Sequence, residues 1–394
     1  MYQEDYLCLK KIIGGEMNLK LLCILVFLTG ISLFAQEPDT VWTKIYGGVG
    51  DDSGYELAET ADKGFIVIGN TSSFGAGDLD VWLLKIDSLG NKVWEKNYGG
   101  SGRERGYSIQ PTSDGDYIVG AQTNSFGRGG FDIWILKINQ EGDTIWTKTY
   151  GGTSQEEIYA VRELNDKGFI ILGWTTSPEI GERKPWLLKT DSSGNIIWQN
   201  TIGTEQVMCS SLEITSDQNY LIAGTVLSGY PWLAKVNSSG DLIWEKIIYD
   251  NYGMGEAVIQ NLEGDYILAA ARFYDPNTSD IVIIRMDSSG SKIWDKTFDL
   301  SKFDQCNSLI QTNDRGYLAN CVVSSGDKNN TDAELLKLSD SGEKQWTKVI
   351  AGKYQESITS IIISKENHYI LCGETNSYSN GDYDLYLIKL SAEK

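Results

Sequence analysis

Histidine is nearly absent: His368 stands alone in a chain of 394 residues. Without a second one, a Ser-His-Asp triad or a His-liganded metal centre has no residues to form from. Proline is scarce, with 6 residues, and no segment carries a sustained helical period. Positive charge is in deficit, 34 Lys and Arg against 54 Asp and Glu, for a formal net charge of −20. So acidic a chain repels phosphate backbones and anionic membranes, leaving proteins, neutral glycans or cations as the partners electrostatics permits. None of the 6 cysteines belongs to a Cys-x-x-Cys pair, which removes the usual structural zinc site. The apolar stretch 21–34 falls short of the ~20 residues that a spanning helix needs.

That stretch has another use. Met17-Asn18-Leu19-Lys20 is a short basic start, the apolar run follows, and Ala35-Gln36 ends it, which is the order of a secretory signal peptide. The expectation is a leader over residues 1–35, translated from Met17 and cut after Ala35, with a signal anchor as the alternative. Residues 36–394 then form a single exported domain, periplasmic, cell-surface or extracellular, monomeric and free of the membrane. Four cysteines remain in it: Cys209, Cys306, Cys321 and Cys372. They are either four buried thiols or, in an oxidising compartment, include a Cys306–Cys321 bridge between neighbouring strands.

What the chain has in abundance is repetition. Trp recurs at positions 42, 94, 146, 198, 244, 294 and 346. A basic column runs through Lys85, Lys137, Lys189, Lys235, Arg285, Lys337 and Lys389, and an aromatic one through Phe65, Tyr117, Phe169, Tyr220, Tyr266, Tyr317 and Tyr369. Three columns in one register, about 51 residues apart, define a structural repeat. Within the first unit the pattern predicts strand A over 54–60, B over 65–70, C over 80–86 and D over 92–98, with Asp-, Asn- and Gly-rich turns between them. Four short strands per unit specify a blade, and blades repeated radially a propeller. The seventh basic residue, Lys389, has no Trp after it, while Trp42 has no strand C before it. The fold class is therefore all-β: a seven-bladed β-propeller of four-stranded blades, closed by pairing of the N-terminal strand, 39–47, with the last blade at 384–391.

The Trp-x-Lys-x-Tyr-Gly-Gly strand, the Ser-Phe-Gly-x-Gly segments at 73–77 and 125–129, and the Asp-Ser-Ser-Gly-Asn-x-x-Trp turn at 191–198 resemble a family of exported bacterial and archaeal propeller-repeat proteins related to quinoprotein-type propellers. The resemblance spans essentially all of residues 36–394 and implies the fold; on activity it is nearly silent. The adjacent Cys-Cys pair associated with quinone-cofactor dehydrogenases of similar fold is missing. The motifs decay in the fourth to sixth units.

Two sets of residues are candidates for function. The B-to-C loops vary between units, and variable loops on a rigid scaffold tend to carry binding. Trp174 is the only Trp outside the column above and the strand C positions Trp82, Trp134, Trp186 and Trp232, and with Arg183, Lys184, Tyr230, Arg272 and Tyr274 it is expected to form an aromatic and basic patch for a protein or glycan. Ten residues after a strand D Trp stand Asp52, Glu104, Glu156, Asp304 and Glu356. If they converge on a channel mouth they can hold calcium through oxygen ligands; the alternative is that each accepts bonds from its own crossing backbone. No cofactor is otherwise expected. The functional expectation is a non-catalytic binding or scaffolding module; the alternative is a carbohydrate-active enzyme using two of the mouth acids.

Overall fold

Asp62-Lys63-Gly64 shows how the local sequence makes each hairpin. The Lys63 amide donates to the Thr60 carbonyl at 3.0 Å, and Lys63 itself sits at φ 66°. The same left-handed position recurs at Lys167, Gln218, Arg315 and Asn367. In the C-to-D turn Asp87 Oδ1 accepts the Leu89 and Asn91 amides at 2.9 and 2.8 Å, and Gly90 takes φ 78°. These turns fix the register of the strands they join.

The computed structural model describes residues 36–177, 183–324, 331–379 and 382–393; the leader expected over 1–35 lies outside them. Among the described residues every regular element is a strand, 28 in all. In the first unit the strands are Asp52–Glu59, Phe65–Thr71, Asp80–Ile86 and Lys92–Tyr98, joined antiparallel in chain order. Five sheets have four strands, and one of eight holds the fifth and sixth units, linked by a single parallel bridge, Ser279 to Phe303. Thr40–Tyr46 pairs antiparallel with Asp384–Leu390, with Trp42 opposite Lys389. Strand A of every unit carries a bulge, for example between Gly54 and Glu56. It packs on strands A and B of the preceding unit, and strand A of the first unit packs on those of the seventh.

The core lies between sheets. Strands B and C are buried on both faces, while strand D alternates between half-buried and exposed. Trp94, Trp146 and Trp244 of the strand D column are only half-buried, whereas Trp82, Trp186 and Trp232 of strand C are among the largest fully buried side chains. The strand D rings lie over the next unit's C-to-D turn: a Cβ on Gly142 would come 3.1 Å from Trp94, which together with φ 80° restricts that position to glycine. Tyrosines of the Tyr-Gly-Gly segments tie the same turns. Tyr46, Tyr98 and Tyr150 donate their hydroxyls to the carbonyls of Gly90, Gly142 and Gly194, the last at 2.6 Å.

The basic column closes the A-to-B turns. Lys85, Lys137, Lys235 and Lys337 reach Asp62, Asp114, Asp217 and Asp314 at 2.7 to 2.9 Å. Burial pushes the Asp62, Asp114 and Asp217 carboxyls up, but hydrogen bonds from the lysine and from a turn threonine outweigh it and hold each at about 2.

Candidate functional site

The ends of the strands form rows. Strand A's first residue lies opposite strand B's last, which lies opposite strand C's first: Glu104, Thr123 and Asp132 in the second unit. Between sheets, the first residue of strand C meets the first residue of the next strand A. A Cβ on Gly99 would fall 1.8 Å from Asp80 Oδ1 and 2.6 Å from Glu104 Oε2, so the two carboxyls flank that glycine. Gly151 has Asp132 and Glu156 at the same distances, and Gly47 has Asp384 and Asp52 at 1.8 and 2.9 Å. Asp332 faces Glu356, and Asp280 faces Asp304.

The five acids expected at a channel mouth are thus placed at separate junctions rather than together. All five are 0% exposed. Asp52 accepts the Gly48 amide at 2.7 Å and the Ser73 hydroxyl at 2.6 Å. Glu104 accepts the Gly100 amide and the Thr123 hydroxyl, Glu156 the Gly152 amide and the hydroxyls of Thr175 and Ser177, and Glu356 the Thr375 hydroxyl. Asp304 Oδ2 takes the amides of Leu300 and Ser301.

Asp132 and Asp304 titrate high. Burial, then the Glu156 charge, raises Asp132 to about 6, and burial, then Asp280 and Asp299, raises Asp304 to about 6. Their protonation favours the folded chain, so their contribution to stability grows as pH falls from about 7 to about 4. The turn aspartates held at about 2 act oppositely: their stabilisation is complete above pH 4 and is lost below it. A melting midpoint that peaks near pH 5 is expected by scanning calorimetry. Asp132→Asn should raise stability at pH 7.5 by about 1 to 2 kcal/mol and change little at pH 5. A midpoint climbing steadily from pH 5 to 8 would contradict this.

Two adjacent junctions lack the acid pair. Lys184 and Val207 hold the positions between the third and fourth units, Tyr230 and Gly253 those between the fourth and fifth. Around them lie the expected patch residues, which the structure sorts into groups. Trp174 and Arg183 share a cleft of about 780 Å³ with Ser154, Gln155, Thr176 and Gln206. Trp174 Nε1 donates to Glu157 at 2.9 Å. Lys184 donates to the Gly203 carbonyl at 3.2 Å. Tyr230 belongs to a second group, edge-on to Tyr249 at 5.4 Å and Tyr252 at 5.6 Å. Arg272 is turned to Asn251 at 2.8 Å, and exposed Tyr274 donates to Asp280 at 2.7 Å.

Sequence reasoning missed Tyr249 and Tyr252, 69% and 55% exposed, which gather around Tyr230. The decay of the Tyr-Gly-Gly segment after Trp244 was the available signal. Gln206 of the Trp174 cleft accepts the amide of Leu227, in the turn that leads to Tyr230, at 3.0 Å. It also missed the strand A surface, where a cleft of about 600 Å³ holds the Arg162–Glu56 pair at 3.0 Å and carboxyls Glu213 and Glu256, each raised by burial to about 7. Cys306 and Cys321 lie directly opposite in register, with all four thiols free and buried. His368 is a half-buried turn residue whose pKa burial lowers.

No protein-family model matches the chain. A curated protein, the regulatory protein FlaEY of Caulobacter vibrioides, is 28% identical over 160 residues, which cover 36% of this chain and 16% of that protein. The match therefore spans about a sixth of its curated relative. Among solved structures, the Dos1 propeller aligns with a TM-score of 0.53 at 11% identity, over 89% of this chain and 94% of that one. A protein of unknown function from Dyadobacter fermentans aligns with a TM-score of 0.52 at 9% identity, over 90% and 98%. Identities this low establish the fold alone: an all-β, propeller-like architecture of four-stranded antiparallel sheets.

Proposed function

We propose that this chain is an exported, closed, seven-bladed propeller acting as a non-catalytic binding or scaffolding module for a protein or glycan. The pairing of Thr40–Tyr46 with Asp384–Leu390 and the packing of the first strand A on the seventh unit support the closed ring. One observation carries the binding role. The two junctions without the structural acid pair are the ones that present Tyr230, Tyr249, Tyr252 and the Trp174 cleft. At five junctions those positions carry carboxyls that bond the crossing backbone and strand-end hydroxyls; the two without them are free of that arrangement. Tyrosine, tryptophan and methionine with arginine nearby are the side chains that anchor protein interfaces, and flat rings also stack on sugars. The enzyme alternative lacks support, since Asp52, Glu104, Glu156, Asp304 and Glu356 are fully buried and offer a glycoside no approach.

The test is retention of cell-surface proteins and arrayed glycans on the immobilised chain. Tyr249→Ser with Tyr252→Ser should lower retention at least tenfold, as loss of two anchors worth about 1 kcal/mol or more each would. Tyr378→Ser, which alters an equally exposed ring in the seventh unit, should not. Equal retention by both variants, or release of free sugar from the array, would overturn the proposal.

A further inference from the structure

At the crossing from the fifth to the sixth unit a third acid stands over the acid pair. Where the early units have the first glycine of Tyr-Gly-Gly directly over the acid pair, Phe298 is followed by Asp299. A carboxylate oxygen of Asp299 lies within 4.8 Å of one from Asp280 and one from Asp304, the only such triple of metal-competent side chains among the described residues. The three side chains grade from buried Asp304 through half-buried Asp280 to exposed Asp299. None of the ion pairs among the described residues involves them, so three formal negative charges meet without a cation.

A second observation concerns a single atom. Asp304 is 0% exposed; its Oδ2 accepts the Leu300 and Ser301 amides at 2.8 and 3.1 Å, while Oδ1 is buried and has no donor. Asp280 Oδ2 takes the Tyr274 hydroxyl at 2.7 Å, which leaves its other oxygen for a further partner. A buried carboxylate oxygen without a donor is costly unless something positive completes it. The geometry points to a site for a hard divalent cation, calcium, held by Asp280, Asp299 and Asp304, with water entering from the Asp299 side. Carboxylate oxygens suit calcium, and an open site with three of them belongs in the weak range of extracellular modules, a Kd of about 10⁻⁴ to 10⁻³ M. The inference stands apart from the proposed binding face, since it concerns another junction and uses different residues.

Calcium and terbium titrations of the full chain test it. Calcium chloride should raise the melting midpoint saturably and EDTA should reverse the rise. Terbium should show emission sensitised by Tyr274 that calcium competes away. Asp299→Asn, at an exposed position where folding is safe, should weaken calcium at least tenfold, and Tyr274→Phe should dim terbium emission. Asp332→Asn, at a junction with two acids only, should leave the calcium affinity unchanged. A midpoint identical in millimolar calcium and in EDTA overturns the site, as does equal calcium affinity in the chain and in Asp299→Asn. Loss of partner retention with calcium binding intact would count only against the tyrosine face.

Discussion

Deleting Thr40–Tyr46 is expected to lower the melting midpoint by about 10 °C or more and to drive the chain into larger assemblies than the intact chain forms. That strand covers Asp384–Leu390, every residue of which is buried, and Trp42 and Tyr46 pack against the cluster containing Leu57, Phe65, Trp82 and Leu387. Its removal exposes a ladder of unpaired amides and carbonyls on an apolar edge, and it also cuts the hydroxyl tie from Tyr46 to Gly90. Size-exclusion chromatography and thermal unfolding check the result. A peptide of residues 37–48 added in trans should restore part of the intact chain's assembly state by strand addition. A truncated chain whose assembly state and melting are unchanged would end the closed-ring reading.

The second large effect is a contrast between two tryptophans of the fourth unit. Trp232→Ala should cost about 3 to 5 kcal/mol, because that ring is 0% exposed within the cluster containing Leu212, Ile222 and Val236 and its Nε1 donates to Glu245 at 3.0 Å. Trp244→Ala should cost about 1 to 2 kcal/mol, since the ring is only half-buried, lying over Gly290, tilted against Tyr266 and packed at the margin of the cluster containing Leu221 and Val258. Urea midpoints at matched m-values measure both. Equal losses would mean that the repeated column, rather than strand C, carries the packing.

That contrast marks where sequence reading stops. The columns at Lys85, Phe65 and Trp94 were legible because a period repeats them, and the strands fall within two residues of the expected bounds. Burial was not legible. Trp232 and Trp244 look alike in sequence, and only the stacking of sheets separates inside from outside. The junction acids were legible as a slot ten residues after Trp, but their partners were not. Asp80 and Glu104 are 24 positions apart and meet across two sheets, a relation that no local pattern encodes. Trp174 and Arg183 were found because Trp174 breaks a column, and they do share a cleft. Tyr249 and Tyr252 escaped because they stand where the columns weaken, and the lost Tyr-Gly-Gly segment after Trp244 marks a departure without saying what replaces it.

The single sheet shared between the two chain ends bears on how such a gene can grow or shrink. The seam is confined to residues 40–46 and 384–390. Duplication or loss of one internal stretch of about 52 codons leaves the seam's residues untouched. On the closed-ring reading proposed above, the number of units can therefore change by unequal crossing-over alone, with the pairing of 40–46 and 384–390 kept.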